Sequence, residues 1–172
     1  MLQDRLGELQ ATITFKKEAF VQDMFSNENA EYLDAMYSTS SIDGVPPPQA
    51  PTETDDWEMR VANAYDTFQR IALVLEVVKA DLEFHGDGTE RVKQLWRMLE
   101  GQVEGVLVNL FIELEMRGMN EPTLSMAVLP PSLRCEQSRQ EKSSLTKNRR
   151  DFVVLRHVLH AASIFSDALN QL

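Results

Sequence analysis

The chain has 172 residues, 43% of them hydrophobic, with only 7 glycines, 7 prolines and a single cysteine. That is one domain's worth of sequence with enough apolar material for a core and few breaks in regular structure. A formal charge of −10 argues against nucleic acid as a partner, and one cysteine excludes a disulfide within the chain.

No run of eighteen apolar residues occurs, so no membrane insertion is expected. The opening MLQDRLGELQATITF places Asp4, Arg5 and Glu8 among its apolar residues and is no recognisable signal peptide. Either non-classical release or a trimmed mature form is expected, with cytoplasmic storage compatible with both. The chain also holds no N-x-Ser/Thr acceptor site. Residues 1–133 carry 10 basic and 23 acidic side chains, a net of −13, whereas residues 134–172 carry 7 basic and 4 acidic, a net of +3.

Four helices are predicted, at about 2–25, 54–84, 89–117 and 144–171, in one domain over 1–172. Leu2, Leu6, Leu9, Ile13, Phe20 and Met24 make the face of the first. Pro46, Pro47 and Pro48 forbid helix in the connection that follows, which has room for a short helical turn at 30–37. Thr54, Asp55 and Asp56 supply capping oxygens and first-turn charge to the second helix. Its stripe is Val61, Tyr65, Phe68, Ala72, Leu75, Val78 and Leu82, broken by the HGDG turn at 85–88. Thr89 opens the third helix, striped by Val92, Leu95, Leu99, Val103, Val106, Leu110 and Leu114, and Gly118 is its natural stop. A second long connection holds Pro122, Pro130 and Pro131, with an apolar patch at 124–129. The fourth helix opens at Ser143 or Ser144 and carries Phe152, Leu155, Leu159, Ala162, Phe165, Leu169 and Leu172.

Long, short, long connections imply an all-α, four-helix bundle of up-up-down-down topology with two long crossover loops, the arrangement of long-chain helical cytokines. A hairpin bundle would need no such loops.

Catalytic and metal signatures are sparse. His157 and His160 are three apart on one helix, but no Glu-x-x-His accompanies them, and HExxH, a P-loop and GxGxxG are absent. No enzyme, cofactor or metal is expected, and Cys135 reads as a free loop thiol. What remains is surface. Lys142, Lys147, Arg149 and Arg150 crowd the start of the fourth helix, where positive charge opposes the helix dipole. They are either a solvated patch pairing with Glu141 and Asp151 or a docking site for an acidic partner. Trp57 and Trp96 are each either core or contact residues. From periodicity, Gln10, Lys17, Arg97, Glu100 and Glu104 lie off the apolar stripes of the first and third helices.

IDGVP at 42–46, AYDTFQRIALVLEVV at 64–78, EFHGDGTE at 83–90 and the closing DF-x-x-L-R of Asp151, Phe152, Leu155 and Arg156 resemble the ciliary neurotrophic factor and cardiotrophin branch of the interleukin-6 family. The resemblance covers the chain from about residue 42 onward. It implies a secreted, monomeric neurotrophic-type growth factor. Such a factor assembles the family's shared signal-transducing glycoprotein receptor with the leukaemia inhibitory factor receptor, in some members with an alpha receptor, and activates JAK-STAT signalling. In relatives a Phe-x-x-Lys motif at the start of the last helix contacts the leukaemia inhibitory factor receptor. Alignment on Asp151 and Phe152 places Leu145 at the Phe and Asn148 at the Lys, with Lys147 one place early. The resemblance thus implies a contact made by Leu145, Lys147, Asn148, Arg149 and Arg150, with Trp57 a weaker candidate. The arginine that relatives turn to the ciliary neurotrophic factor alpha receptor is replaced by Ile164. The faces of the first and third helices are implied to meet the shared receptor. Against this stands an intracellular helical adaptor with no cytokine receptor.

Overall fold

The computed structural model describes residues 2–26, 28–42, 45–52, 54–85, 88–118, 133 and 142–170. Five helices and no strands occur among them: α1 (Leu2–Phe25), α2 (Ala30–Met36), α3 (Trp57–His85), α4 (Glu90–Met116) and α5 (Ser144–Asn170). The expected all-α class and the short helix inside the first connection are both present. Cys135, Gly86 and Asp87 of the HGDG turn, the apolar patch at 124–129 and Leu172 lie outside the described residues.

Local chemistry sets the helix ends. Asn29 caps α2 by accepting from the Tyr32 amide at 2.7 Å, and Thr89 caps α4 by accepting from the Val92 amide at 3.2 Å. Ser143 caps α5, accepting from the Thr146 amide at 3.3 Å. α3 starts three residues later than the sequence predicts. Asp56, not Thr54, accepts from the Met59 amide at 2.8 Å, while Asp55 is turned back to the Thr52 amide at 2.7 Å. Gly118 ends α4 at φ +67°, its amide donating to the Glu115 carbonyl at 3.0 Å. Glycine takes that left-handed conformation without a Cβ penalty.

α1 packs on α4 and α5, and α3 packs on α4 and α5. The contacts between them join opposite ends. At one end of the bundle the Ser166 hydroxyl donates to Gln3 at 3.2 Å, Arg60 donates to the Ala168 carbonyl at 3.2 Å, and the Arg117 guanidinium stacks 4.9 Å from the Trp57 ring centroid. At the other end Asn148 donates to the Met24 carbonyl at 2.8 Å, Arg150 reaches Asp81, and Asp23 accepts from Thr89 and Arg91.

All seven stripe residues predicted for α4 are buried, and Trp96 joins them, its ring edge-on to Phe20 with centroids 5.9 Å apart. On α3 the buried face runs through Ala64 and Ile71, leaving Tyr65 and Ala72 half-buried against it. A second aromatic group joins Phe25 and Tyr37 to Phe152, each with centroids 6.1 Å apart. α5 is the one helix among the described residues long and apolar enough to cross a membrane, and more than half of that stretch is buried in the bundle. Its apolar residues are used in the core.

Phe20 is fully enclosed and touches both Trp96 and Phe25. Phe20→Ala should cost about 3–5 kcal/mol, read as a fall in the urea midpoint with an unchanged slope. A loss below about 1 kcal/mol would mean that the two aromatic groups are not packed as one core.

Candidate functional site

The basic start of α5 splits into two faces. Helical spacing turns positions 147, 150, 151 and 154 to one side and 145 and 149 to the other. Asp151 is 1% exposed and Lys147 8% exposed, whereas Leu145 is 51% exposed and Arg149 is also exposed. The sequence expected the whole group on the surface. Lys147 and Arg150 are corrections to that expectation, and so, in part, is Asn148, half-buried and held on the Met24 carbonyl.

Arg150 makes the central contact. Its Nη1 donates to Asp81 at 2.6 Å, and its Nε and Nη2 donate to Asp151 Oδ1 at 2.8 and 2.6 Å. One guanidinium thereby joins the end of α3 to the start of α5 and satisfies two buried carboxylates. Burial works against the charge on Arg150, but Asp151 foremost, then Asp81, holds it above its ordinary range. Burial pushes Asp151 up to about 6, against the pull of Arg150. Asp151 was legible as a partner for the basic group. Asp81, 69 residues away from Arg150, carried no sequence signal beyond being an acid at the edge of an apolar stripe.

One turn further along, α5 is fastened to the first crossover. Arg156 donates to the Tyr37 carbonyl and pairs with Asp34 at 3.1 Å, and Lys17 of α1 pairs with the same carboxylate. His157, 6% exposed, hydrogen-bonds the Pro46 backbone. Proline has no N–H, so the imidazole donates to its carbonyl. Burial, reinforced by nearby His160, pushes His157 down to about 4 despite that bond. Among the described residues no group of three or more His, Cys, Asp or Glu could hold a metal ion.

The residues expected on a shared α1 and α4 face do not come together. Gln10 is seven places from both Gln3 and Lys17, so all three lie along one side of α1, the side that meets α5 and α2. Arg97 reaches Glu83 at 4.0 Å and Glu100 pairs with Lys79, which puts both on the α3 side of α4 with Glu104 one turn on. Exposed apolar side chains occupy α1 and α4 instead, at Phe15, Met98, Val108, Ile112 and Met116. Trp57 is half-buried against the core, and Ile164 packs there too.

No protein-family model, no curated protein and no solved structure matches the chain.

Removing one member of the ion group leaves uncompensated buried charge. Arg150→Met should therefore cost roughly 3–5 kcal/mol in urea unfolding at pH 7. Arg150→Met with Asp81→Leu and Asp151→Leu together should recover most of it. A single variant as stable as the parent would show that these charges are solvated.

His157 and Asp151 oppose each other in acid. The unfolded chain binds a proton on histidine near pH 6.5, so the neutral His157 stabilises the fold above that pH and the contribution is lost as pH falls toward 4. Asp151 has the reverse sign: its contribution is greatest below about 3.8 and is lost as pH rises to about 6. Stability should be nearly flat from pH 6 to 4. Over that range His157→Gln should gain stability as pH falls, and Asp151→Asn should lose it more steeply than the parent. Urea unfolding at half-unit pH steps checks both slopes, and parallel curves for all three proteins would contradict the assignment.

Proposed function

We infer that the chain is an extracellular helical cytokine that works by bringing receptors together. The observation that carries this reading is the pairing of helix ends. Where the start of α1 meets the end of α5 and the end of α1 meets its start, the two helices run in opposite directions. The same logic sets α3 against α5, α3 against α4, and α1 against α4. α1 then runs parallel to α3, and α4 parallel to α5. That arrangement supports reading the fold as an up-up-down-down bundle.

The connections suit it. The 31 residues of 26–56 and the 27 residues of 117–143 link the parallel pairs, while four residues link α3 to α4. A helix of 29 residues, as α3 is, spans roughly 43 Å, and a connection of either length can return that far. Hairpin bundles join neighbours by short loops.

The expected receptor set follows the family resemblance of the last helix: the shared signal-transducing glycoprotein receptor and the leukaemia inhibitory factor receptor, with JAK-STAT signalling downstream. Leu145 and Arg149 are the exposed members of the basic start and form the contact in this reading. Arginine is among the residues on which interface binding energy concentrates, and Leu145 supplies apolar area beside it. Arg150 shapes the contact by fixing the helix from inside. The alpha receptor is set aside, since Ile164 is half-buried where the family's arginine would project.

Purified chain should bind immobilised ectodomains of the two receptors. Leu145→Ala with Arg149→Glu should weaken binding to the leukaemia inhibitory factor receptor at least tenfold, about 1.4 kcal/mol, with binding to the shared receptor and thermal stability unchanged. Absence of binding to either ectodomain by a folded sample would overturn the reading and leave the intracellular adaptor.

A further inference from the structure

Beside the start of α5 lies a groove of about 240 Å³ between the first crossover and the helix. Its apolar wall is Tyr37, Ile42 and Val153, and Leu133, itself buried, closes it. Its charged residues are Lys142, Lys147, Arg149 and Arg150, and among the described residues no acidic side chain lines it. In a chain of net charge −10, this is a local concentration of one sign against an apolar floor.

Not all four charges are engaged alike. Arg150 is consumed by Asp81 and Asp151. Lys147 is more than nine-tenths buried and lines the groove, yet among the described residues no carboxylate lies within ion-pair distance of its ammonium. Asp151 acts on it only through space. A buried ammonium without a hydrogen-bonded counter-ion is costly, and an anion in the groove would remove that cost. Thr146 and Ser41 place hydroxyls on the same lining.

We propose that this groove is a binding site for a small amphipathic anion, a molecule with one ring or short chain and one phosphate or carboxylate. The ring lies on Tyr37, Ile42 and Val153. The head group takes Lys147, with Arg149 and Lys142 at the rim. The volume sets the size: drug-sized ligands occupy about 300–1,000 Å³, so a single ring fits and a long acyl chain does not. An apolar body selects against inorganic phosphate, and the cations select against neutral aromatics. Because the site joins the crossover to α5, an occupant would hold those two elements together. The proposal does not depend on the receptor reading, and binding to ectodomains can fail while this site holds.

The test uses the whole chain labelled with ¹⁵N and titrated with phenyl phosphate, with hexanoate as the carboxylate arm and with inorganic phosphate and benzyl alcohol as controls. Saturable amide shifts at Ile42, Thr146, Lys147 and Val153 are expected for phenyl phosphate or hexanoate. A dissociation constant of roughly 1 mM or tighter is in range for a ligand of about eleven non-hydrogen atoms. Both controls should bind at least tenfold more weakly. Lys147→Met should lose at least tenfold in affinity without lowering the thermal midpoint, since it removes a buried ammonium that has no hydrogen-bonded carboxylate among the described residues. Thr146→Phe, which fills the mouth and keeps every charge, should lose binding as well. No saturable shift at 5 mM of either acid, equal binding of inorganic phosphate, or undiminished affinity in both variants would overturn the proposal.

Discussion

A single guanidinium between two buried carboxylates governs the lower part of this molecule. Arg150 can reach Asp81 and Asp151 together only if α5 is rotated so that position 150 faces the end of α3. That rotation decides everything nearby. Lys147, three residues earlier, is carried inward with it, and Leu145 and Arg149 are carried outward. A charged contact deep in a core is a weak source of stability, because desolvation cancels most of the attraction. Its value here is directional. Apolar packing alone would tolerate a modest twist of α5, but a three-pronged hydrogen-bonded contact does not.

The same contact accounts for basic residues at a helix start, where the dipole disfavours them. Arg150 sits beside two acids rather than facing open solvent, so the local charge is balanced by Asp81 from another helix and Asp151 from its own. Arg149 projects outward and has no such compensation from the helix. The basic group is therefore two populations, one structural and one available, produced by nothing more than 100° of rotation per residue.

Faces were readable from the sequence, and partners were not. The α4 stripe from Val92 to Leu114 is buried at every predicted position because a three-four repeat of aliphatics has no other comfortable environment. The start of α3 slipped from Thr54 to Trp57 because three adjacent residues could each cap, and Asp55 was drawn away by Thr52. Gln10 and Lys17 lie on the side of α1 that meets α5 and α2, since periodicity says which residues line the core and not which neighbour the others meet. The same limit applies to the basic start of α5, where Lys147 and Arg150 turn inward and Leu145 and Arg149 outward. A run of lysine and arginine looks solvated until the remote acids that bury it are known, and Asp81 declares itself only when α3 and α5 are side by side.

Arg156 on the Tyr37 carbonyl and His157 on the Pro46 carbonyl fasten the first crossover to the last described helix. The residues so joined are 119 apart in the first case. At a synthesis rate of about 5–20 residues per second, that separation is a wait of roughly 6–24 s during which the α5-facing side of α1 and the crossover beside it have nothing to close upon. The nascent chain must therefore carry Phe25 and Tyr37, which α5 covers through Phe152, exposed until α5 itself has been made. Assembly of this bundle waits on α5, and slow or interrupted elongation before α5 would present the cell with an open apolar seam rather than with a smaller folded protein.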